Sequence, residues 1–115
     1  MISVGIDLVD IERFKLALSR SGELFVSRIL NNYEIAKYDS HQWAILFSAK
    51  ECAIKIIKQI PKGFRLRDIQ VDILSKDELL VTFDESLYKQ VDLTSNSIKG
   101  TYKVFKNCIV THLIA

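Results

Sequence analysis

The chain has 115 residues, of which 49% are hydrophobic and 26% are charged, and its formal net charge is +2. This length and composition predict one globular domain over residues 1–115 with a modest core, and the small charge gives no reason to expect nucleic acid as a partner. Because the chain has no uncharged run of about 18 residues and no basic leader, the sequence predicts no membrane span, no signal peptide and a cytoplasmic location.

The first predicted element is a strand in which apolar residues alternate with small or acidic ones. We expect the apolar set to face the core and Asp7 to point away from it. Gly5 lies beside Asp7, and its missing side chain leaves room for a group to approach. The apolar positions of this strand are Ile2, Val4, Ile6 and Leu8.

Short helices are predicted next. Asp10 is placed to cap a helix that Ser21-Gly22 ends, and a second short helix is predicted over residues 23–30. The pair Asn31-Asn32 separates this helix from the segment YEIAKY, which precedes the longest predicted helix. Asp39 or Ser40 is the expected cap of that helix.

The long helix is predicted from about His41 to Ile60, where Pro61-Lys62-Gly63 ends it. Beyond it the pattern predicts the strands IQVDI, LLVTF, IKGTYKVF and CIVTHLIA, with a short helix DESLYKQV and a polar loop DLTSNS between the second and the third. The predicted fold class is α+β, with a small antiparallel sheet packed against a long buried helix and shorter helices. We expect Cys52 and Cys108 to be reduced thiols in apolar surroundings.

The long helix combines an apolar character with charged residues in the stretch LFSAKECAIK, residues 46–55. In helical projection Ser48, Glu51 and Lys55 share one narrow stripe, and apolar side chains cover most of the remaining surface. Lys50 projects onto the apolar side, where its amine needs a partner or water.

Glu51 and Lys55 have two interpretations. As neighbours at i and i+4 they suit a surface salt bridge that contributes about 0.3 to 0.5 kcal/mol. Alternatively, Glu51 is a magnesium ligand and Lys55 neutralises a phosphate. A single carboxylate rarely holds Mg²⁺, because the ion requires octahedral oxygen ligands and keeps several waters, so a second acid is needed, and Asp7 is the candidate. Asp7 also suits a solvent-facing acid or a helix cap, and spacing alone does not bring it near Glu51.

Three stretches of the chain, in order and with matching gaps, resemble one enzyme family. They are GIDLVDIER (Gly5 to Arg13), FVSRILNNYEI (Phe25 to Ile35) and WAILFSAKECAIK (Trp43 to Lys55). The first resembles the G-x-D motif with an arginine six residues after the acid, and the third resembles the W/F-[AS]-x-K-E-x-x-x-K helix, of the holo-acyl-carrier-protein synthase type of 4′-phosphopantetheinyl transferase. The resemblance covers about residues 1 to 74 well and the remainder weakly.

The resemblance implies the phosphopantetheinyl transferase fold and a magnesium-dependent reaction. In it, the 4′-phosphopantetheine arm of coenzyme A moves to a serine of an apo acyl carrier protein, and 3′,5′-ADP is released. Asp7 and Glu51 would bind Mg²⁺, and Lys55 would lie at the coenzyme A phosphates as a charge stabiliser or proton donor. Lys50 and Ser48 of the same motif are expected to help bind coenzyme A. The general base stays open between Asp7, Glu51 and a metal-bound water.

The resemblance also implies partners. Arg13, Phe25 and Arg28 match positions that dock the acidic helix of the carrier protein. The family tends to form homotrimers with active sites between subunits, so a homotrimer is expected here. Lipid metabolism, such as fatty-acid biosynthesis, is the implied setting, and the pathway that the carrier serves stays open.

The chain departs from the family pattern at two positions. Leu46 stands where a basic residue commonly holds the nucleotide phosphate, and TYKV, residues 101–104, replaces an S-x-S-H segment. These departures leave open an alternative function, a catalytically inactive relative that binds a carrier protein or assembles with other subunits. Five cations are candidates for the missing charge: Lys58, Lys62, Arg65, Arg67 and Lys103.

Overall fold

The computed structural model describes residues 3–57, 60–85, 87 and 95–115. Most of the predicted helix DESLYKQV and the first half of the loop DLTSNS lie outside the described residues, and so does Lys58. The elements are β1 (Val4–Asp10), α1 (Ile11–Ile29), α2 (Asn32–Lys37), α3 (Trp43–Ile56), β2 (Ile69–Ile73), β3 (Glu78–Phe83), β4 (Ser97–Val104) and β5 (Cys108–Ile114), with 3₁₀ turns at Ser40–Gln42 and Leu66–Asp68.

The described strands form one five-stranded sheet in the order β1-β5-β4-β3-β2, and each neighbouring pair is antiparallel. The predicted α+β class is therefore confirmed. The predicted strand IQVDI matches β2 residue for residue. The predicted strands LLVTF and CIVTHLIA differ from β3 and β5 by one residue at one end, and IKGTYKVF differs from β4 by one residue at each end. Strand β1 forms one edge of the sheet and pairs with β5, and this pairing places Asp7 opposite Thr111.

Helix α3 packs against the sheet, and the helix–sheet interface is the core of the protein. Ala49, Cys52 and Ala53 of this helix are fully buried, as are Val81 of β3 and Leu113 of β5. The helix ends at Ile56 because the next residue adopts an extended conformation, with ψ 116°. The predicted end at Ile60 was therefore four residues too late.

The residues predicted to begin and end the helices near the N-terminus do so in the structure. The Asp10 carboxylate accepts a hydrogen bond from the Arg13 backbone N–H at 3.0 Å, as a helix cap does. Gly22, with φ 48° and ψ −127°, interrupts α1 between the two predicted helices. Asn31 caps α2 through a reciprocal pair of hydrogen bonds with Glu34.

Strand β1 faces the opposite way from the prediction. Gly5 and Val9 are buried against α3, and the Asp7 side chain is only 12% exposed on the same face. The reason is the close approach of α3, since a Cβ on Gly5 would lie 2.4 Å from the Cys52 carbonyl oxygen. The helix needs a residue without a side chain at Gly5, so three of the apolar residues that the prediction placed in the core lie on the outer face: Val4, Ile6 and Leu8, at 51%, 57% and 63% exposure. The fourth, Ile2, lies outside the described residues.

A buried ion pair lies on the other flank of α3. The Lys50 amine lies 2.6 Å from Glu34 Oε1 and also donates to the Ile29 carbonyl at 2.7 Å. Glu34 Oε2 accepts from the backbone N–H of Val71 on strand β2, at 2.7 Å. Burial lowers the pKa of Lys50, and the Glu34 carboxylate opposes that shift. The prediction that Lys50 projects onto the apolar side and needs a partner is confirmed.

Among the described residues, no helix has both the length and the hydropathy that a bilayer span requires. The cytoplasmic location and the single domain stay predictions.

Candidate active site

Strand β1 and helix α3 bring together an acid and an amine that are 48 residues apart in the sequence. The Lys55 amine lies 3.2 Å from Asp7 Oδ1 and donates to the Ile6 carbonyl at 2.7 Å. The lysine side chain is half exposed, whereas the aspartate is mostly buried. Lys55 therefore reaches Asp7 from the solvent side.

Glu51 lies one helical turn before Lys55 and lines the same groove as Asp7. Burial raises the pKa of Glu51, the negative charge of Asp7 raises it further, and the Lys55 amine opposes the shift. The two acids are thus close enough to repel each other electrostatically. Their juxtaposition, which sequence spacing left open, is present in the fold.

The groove beside these acids has a volume of about 560 Å³ and joins polar and aromatic surfaces. Its apolar wall includes Phe14, Phe25 and Phe47, whose ring centroids are 5.5 to 6.2 Å apart. Arg13 lines the same groove, so two of the three predicted docking residues lie beside the acids. The third, Arg28, is exposed in the last turn of α1.

Ser48 contacts Asp7 from within the protein. Its hydroxyl donates to Asp7 Oδ2 at 3.3 Å and lies 2.8 Å from the Thr111 hydroxyl. Both hydroxyl-bearing residues are fully buried. Sequence reasoning missed Thr111; its only signal was a polar residue inside the apolar strand CIVTHLIA, and the contact depends on the register between β1 and β5.

Lys50 is not brought to this site. Its amine is fully buried in the pair with Glu34, on a different flank of α3 from Glu51 and Lys55. Although Lys50 and Glu51 are adjacent in sequence, helical geometry points their side chains about 100° apart.

The residues near Asp7 fit a magnesium site in which a phosphate substrate supplies the remaining ligands. Among the described residues, no group of three or more His, Cys, Asp and Glu side chains could hold a metal ion by itself. Asp7 and Glu51 supply two hard carboxylate donors, which is the usual protein share of a Mg²⁺ site in phosphate-binding enzymes. The donor set thus suits Mg²⁺ only together with phosphate oxygens and water.

The candidates for a compensating positive charge lie elsewhere in the described part of the chain. Lys62, Arg65 and Arg67 are exposed between α3 and β2, and none of them lines the groove. Lys103 lies on strand β4, with its amine 5.4 Å from the centre of the Phe105 ring. Leu46 is fully buried, so the position of the family's basic residue belongs to the core here.

Comparison with known proteins identifies the class of enzyme. Residues 3–106 match the family model of the 4′-phosphopantetheinyl transferase superfamily. The chain therefore belongs to this superfamily of transferases, as the motifs predicted. A relative from Hamiltonella defensa is 38% identical over 90 residues, covering 71% of each chain, and one from Clostridium botulinum is 33% identical over 103 residues, covering 83% of this chain and 80% of the relative. Both relatives are named holo-[acyl-carrier-protein] synthase.

A solved structure shares the fold over nearly the whole chain. Holo-[acyl-carrier-protein] synthase from Helicobacter pylori, crystallised in complex with coenzyme A, superposes with a TM-score of 0.78 at 22% sequence identity, covering 96% of both chains. The phosphopantetheinyl transferase fold predicted from the motifs is confirmed.

Proposed function

We propose that this protein transfers 4′-phosphopantetheine from coenzyme A to a serine of an apo acyl carrier protein and releases 3′,5′-ADP. One observation carries the proposal: Asp7 and Glu51 line one groove, and the Lys55 amine lies 3.2 Å from Asp7. The names of the relatives and the coenzyme A bound to the Helicobacter pylori protein support the choice of substrates.

The reaction forms a bond between the serine oxygen and the phosphorus that carries the pantetheine arm, and it breaks the bond from that phosphorus to the ADP oxygen. A bound Mg²⁺ would neutralise pyrophosphate charge as a Lewis acid. Asp7 and Glu51 would hold the ion, and Lys55 would stabilise the charge that develops on the departing ADP or protonate it. The serine proton passes to a base, for which Asp7, Glu51 and a metal-bound water stay candidates. Ser48 contacts Asp7, so its proposed effect on coenzyme A is indirect.

The carrier protein would approach along α1. Arg13 and Phe25 line the groove that holds the acids, and the exposed Arg28 lies in the last turn of α1, beyond the break at Gly22. Positive charges on α1 suit an acidic helix of the partner and accelerate its encounter. Charge reversal at Arg28 should therefore raise the KM for the carrier at low salt without changing the KM for coenzyme A.

We also propose a homotrimer, assembled through the outer face of the sheet. Among the described residues, the exposed large apolar side chains of this face are Val4, Ile6 and Leu8 on β1 and Ile114 on β5, which lies opposite Val4. Such a contiguous apolar face suits an interface. Ile6→Lys with Leu8→Lys should convert the trimer to monomers in light scattering, whereas Leu24→Lys, equally exposed on α1, should not. A wild-type monomer at micromolar concentration would contradict the proposal.

The transfer itself is tested by intact mass spectrometry. Purified protein, coenzyme A and MgCl₂ are incubated with a panel of apo carrier proteins, and the phosphopantetheine mass should appear on at least one carrier. Asp7→Ala and Glu51→Ala should abolish transfer, and Glu78→Ala, on a surface pair with Lys99, should retain it. If no carrier acquires the arm under any metal condition, the enzymatic function is refuted.

A second candidate function is a catalytically inactive relative that binds a carrier or assembles with other subunits. The buried Leu46, together with the distance of the candidate cations from the groove, favours it. Calorimetry separates the two functions, because an inactive relative should show no magnesium-dependent affinity for coenzyme A.

A further inference from the structure

Two buried hydroxyls connect the interior of the protein to Asp7. Thr111 lies directly opposite Asp7 in the register of β1 and β5, and Ser48 lies above both on α3. The Thr111 and Ser48 hydroxyl oxygens are 2.8 Å apart, and Ser48 Oγ lies 3.3 Å from Asp7 Oδ2. The three side chains therefore form one continuous chain of hydrogen bonds.

The direction of this chain follows from counting protons. A serine hydroxyl has one proton to donate, and the ionised Asp7 carboxylate has none. Because Ser48 donates its proton to Asp7 Oδ2, Thr111 must donate to Ser48 in the shorter bond. Both protons thus point toward the carboxylate, and Ser48, as acceptor from Thr111, is a better donor to Asp7.

Packing alone does not require these hydroxyls. Ala49, Cys52 and Leu113 around them are fully buried, and burying a hydroxyl costs free energy that its hydrogen bonds must offset. Alanine on the helix and valine on the strand would fill this layer without a polar group. The hydroxyls supply what those residues lack, a fixed donor to one oxygen of Asp7.

The two carboxylate oxygens of Asp7 have different partners. Oδ2 is held from the interior by Ser48, whereas Oδ1 is contacted by Lys55, a half-exposed side chain with flexible bonds. A lysine at this position can move aside or follow a phosphate, but the buried hydroxyls cannot. Oδ1 is therefore the oxygen that is available to a ligand entering the groove.

We propose that Thr111 and Ser48 are positioning residues that hold Asp7 Oδ2, so that Asp7 would present Oδ1 to the magnesium ion that neutralises the coenzyme A pyrophosphate. This inference rests on the proposed function. Holding a ligand group in its productive orientation before binding lowers the cost of ordering it when the ligand arrives.

The test uses a matched pair at one position. Thr111→Val keeps the shape of the side chain and removes the hydroxyl, and Thr111→Ser keeps the hydroxyl and removes a methyl group. The readout is the magnesium concentration that gives half-maximal coenzyme A binding in calorimetry, measured beside the melting temperature of the ligand-free protein. Thr111→Val should raise this concentration roughly threefold to tenfold, the range for one lost hydrogen bond, and Thr111→Ser should stay within about twofold of wild type.

A Thr111→Val protein with the wild-type magnesium requirement would overturn the inference, and so would a Thr111→Ser protein as impaired as Thr111→Val. If Thr111→Val is too unstable to purify, Ser48→Ala decides, because it breaks both bonds with a smaller change of volume and should raise the requirement at least as much. Wild-type protein that transfers no phosphopantetheine refutes the proposed function. Active wild-type protein with unaltered variants refutes this inference alone.

Discussion

Replacing Lys50 by methionine tests how the helix that carries Glu51 and Lys55 is held. The amine is fully buried and makes two short contacts, to Glu34 at 2.6 Å and to the Ile29 carbonyl at 2.7 Å. Methionine fills a similar volume but leaves the Glu34 carboxylate buried without its cation. Lys50→Met should therefore destabilise the protein far more than the loss of an ordinary ion pair.

The magnitude follows from the environment of Glu34. Removing one partner of a buried pair costs about 3 to 5 kcal/mol, since the remaining charge is left uncompensated. Glu34 keeps backbone hydrogen bonds from Asn31 and Val71, which favours the lower half of that range. With an unfolding entropy of about 2.1 cal/mol/K per residue, a loss of about 3 to 4 kcal/mol in a chain of 115 residues should lower the melting temperature by about 12 to 17 °C.

Urea and thermal unfolding of Lys50→Met, beside Lys99→Met, measure this effect. Lys99 pairs with Glu78 on the surface at 3.2 Å, so its replacement should cost less than about 1 kcal/mol. Lys50→Met with Glu34→Gln should recover much of the loss, because glutamine removes the unpaired charge and still accepts from Val71. A loss below about 1 kcal/mol for Lys50→Met would refute the reasoning.

Two further predictions concern the contact between α3 and the sheet. Gly5→Ala should destabilise the protein by about 1 to 3 kcal/mol or more in urea unfolding, because its Cβ would lie 2.4 Å from the Cys52 carbonyl oxygen; unchanged stability would show that β1 and α3 are not so closely packed. Cys108, which is partly exposed, should react with an aromatic disulfide reagent at pH 8 in the native state. Burial raises the pKa of Cys52 to about 11, so Cys108→Ala protein should stay unreactive until it unfolds, and rapid native labelling would contradict this burial.

Local chemistry accounts for the parts of the fold that the sequence predicts well. Asp10, Gly22 and Asn31 act within a few residues of their own positions, as caps or as a break, so their effects are visible without the tertiary structure. The strands β2 to β5 have side chains that alternate with a period of two and bury one face, which is the pattern that sequence reasoning assumes.

Strand β1 shows where that reasoning fails. Its alternation was detected correctly, but the choice of buried face assumed that the more apolar face packs on the helix. In the structure α3 lies so close to the strand that the face carrying Gly5 is the buried one, because a larger residue at this position would clash with the helix backbone. Gly5 was a local sign that some group could approach, but nothing near it in the sequence says that the group is a helix 47 residues away.

The positions of the charged residues in helix α3 depend both on local periodicity and on tertiary contacts. Periodicity separates Lys50 from Glu51 and Lys55, but it does not say what each charge meets. In the fold the two flanks of the helix bind different elements: Lys50 pairs with Glu34 of α2, and Lys55 pairs with Asp7 of β1. The buried pair on one flank therefore fixes the rotation of the helix that places Glu51 and Lys55 on the other. Lys50→Met protein that is still folded at low temperature should therefore bind coenzyme A more weakly, because Glu51 is misplaced. Adding Glu34→Gln removes the unpaired charge and should recover coenzyme A binding together with stability. If Lys50 contacted coenzyme A directly, this second substitution would not recover binding.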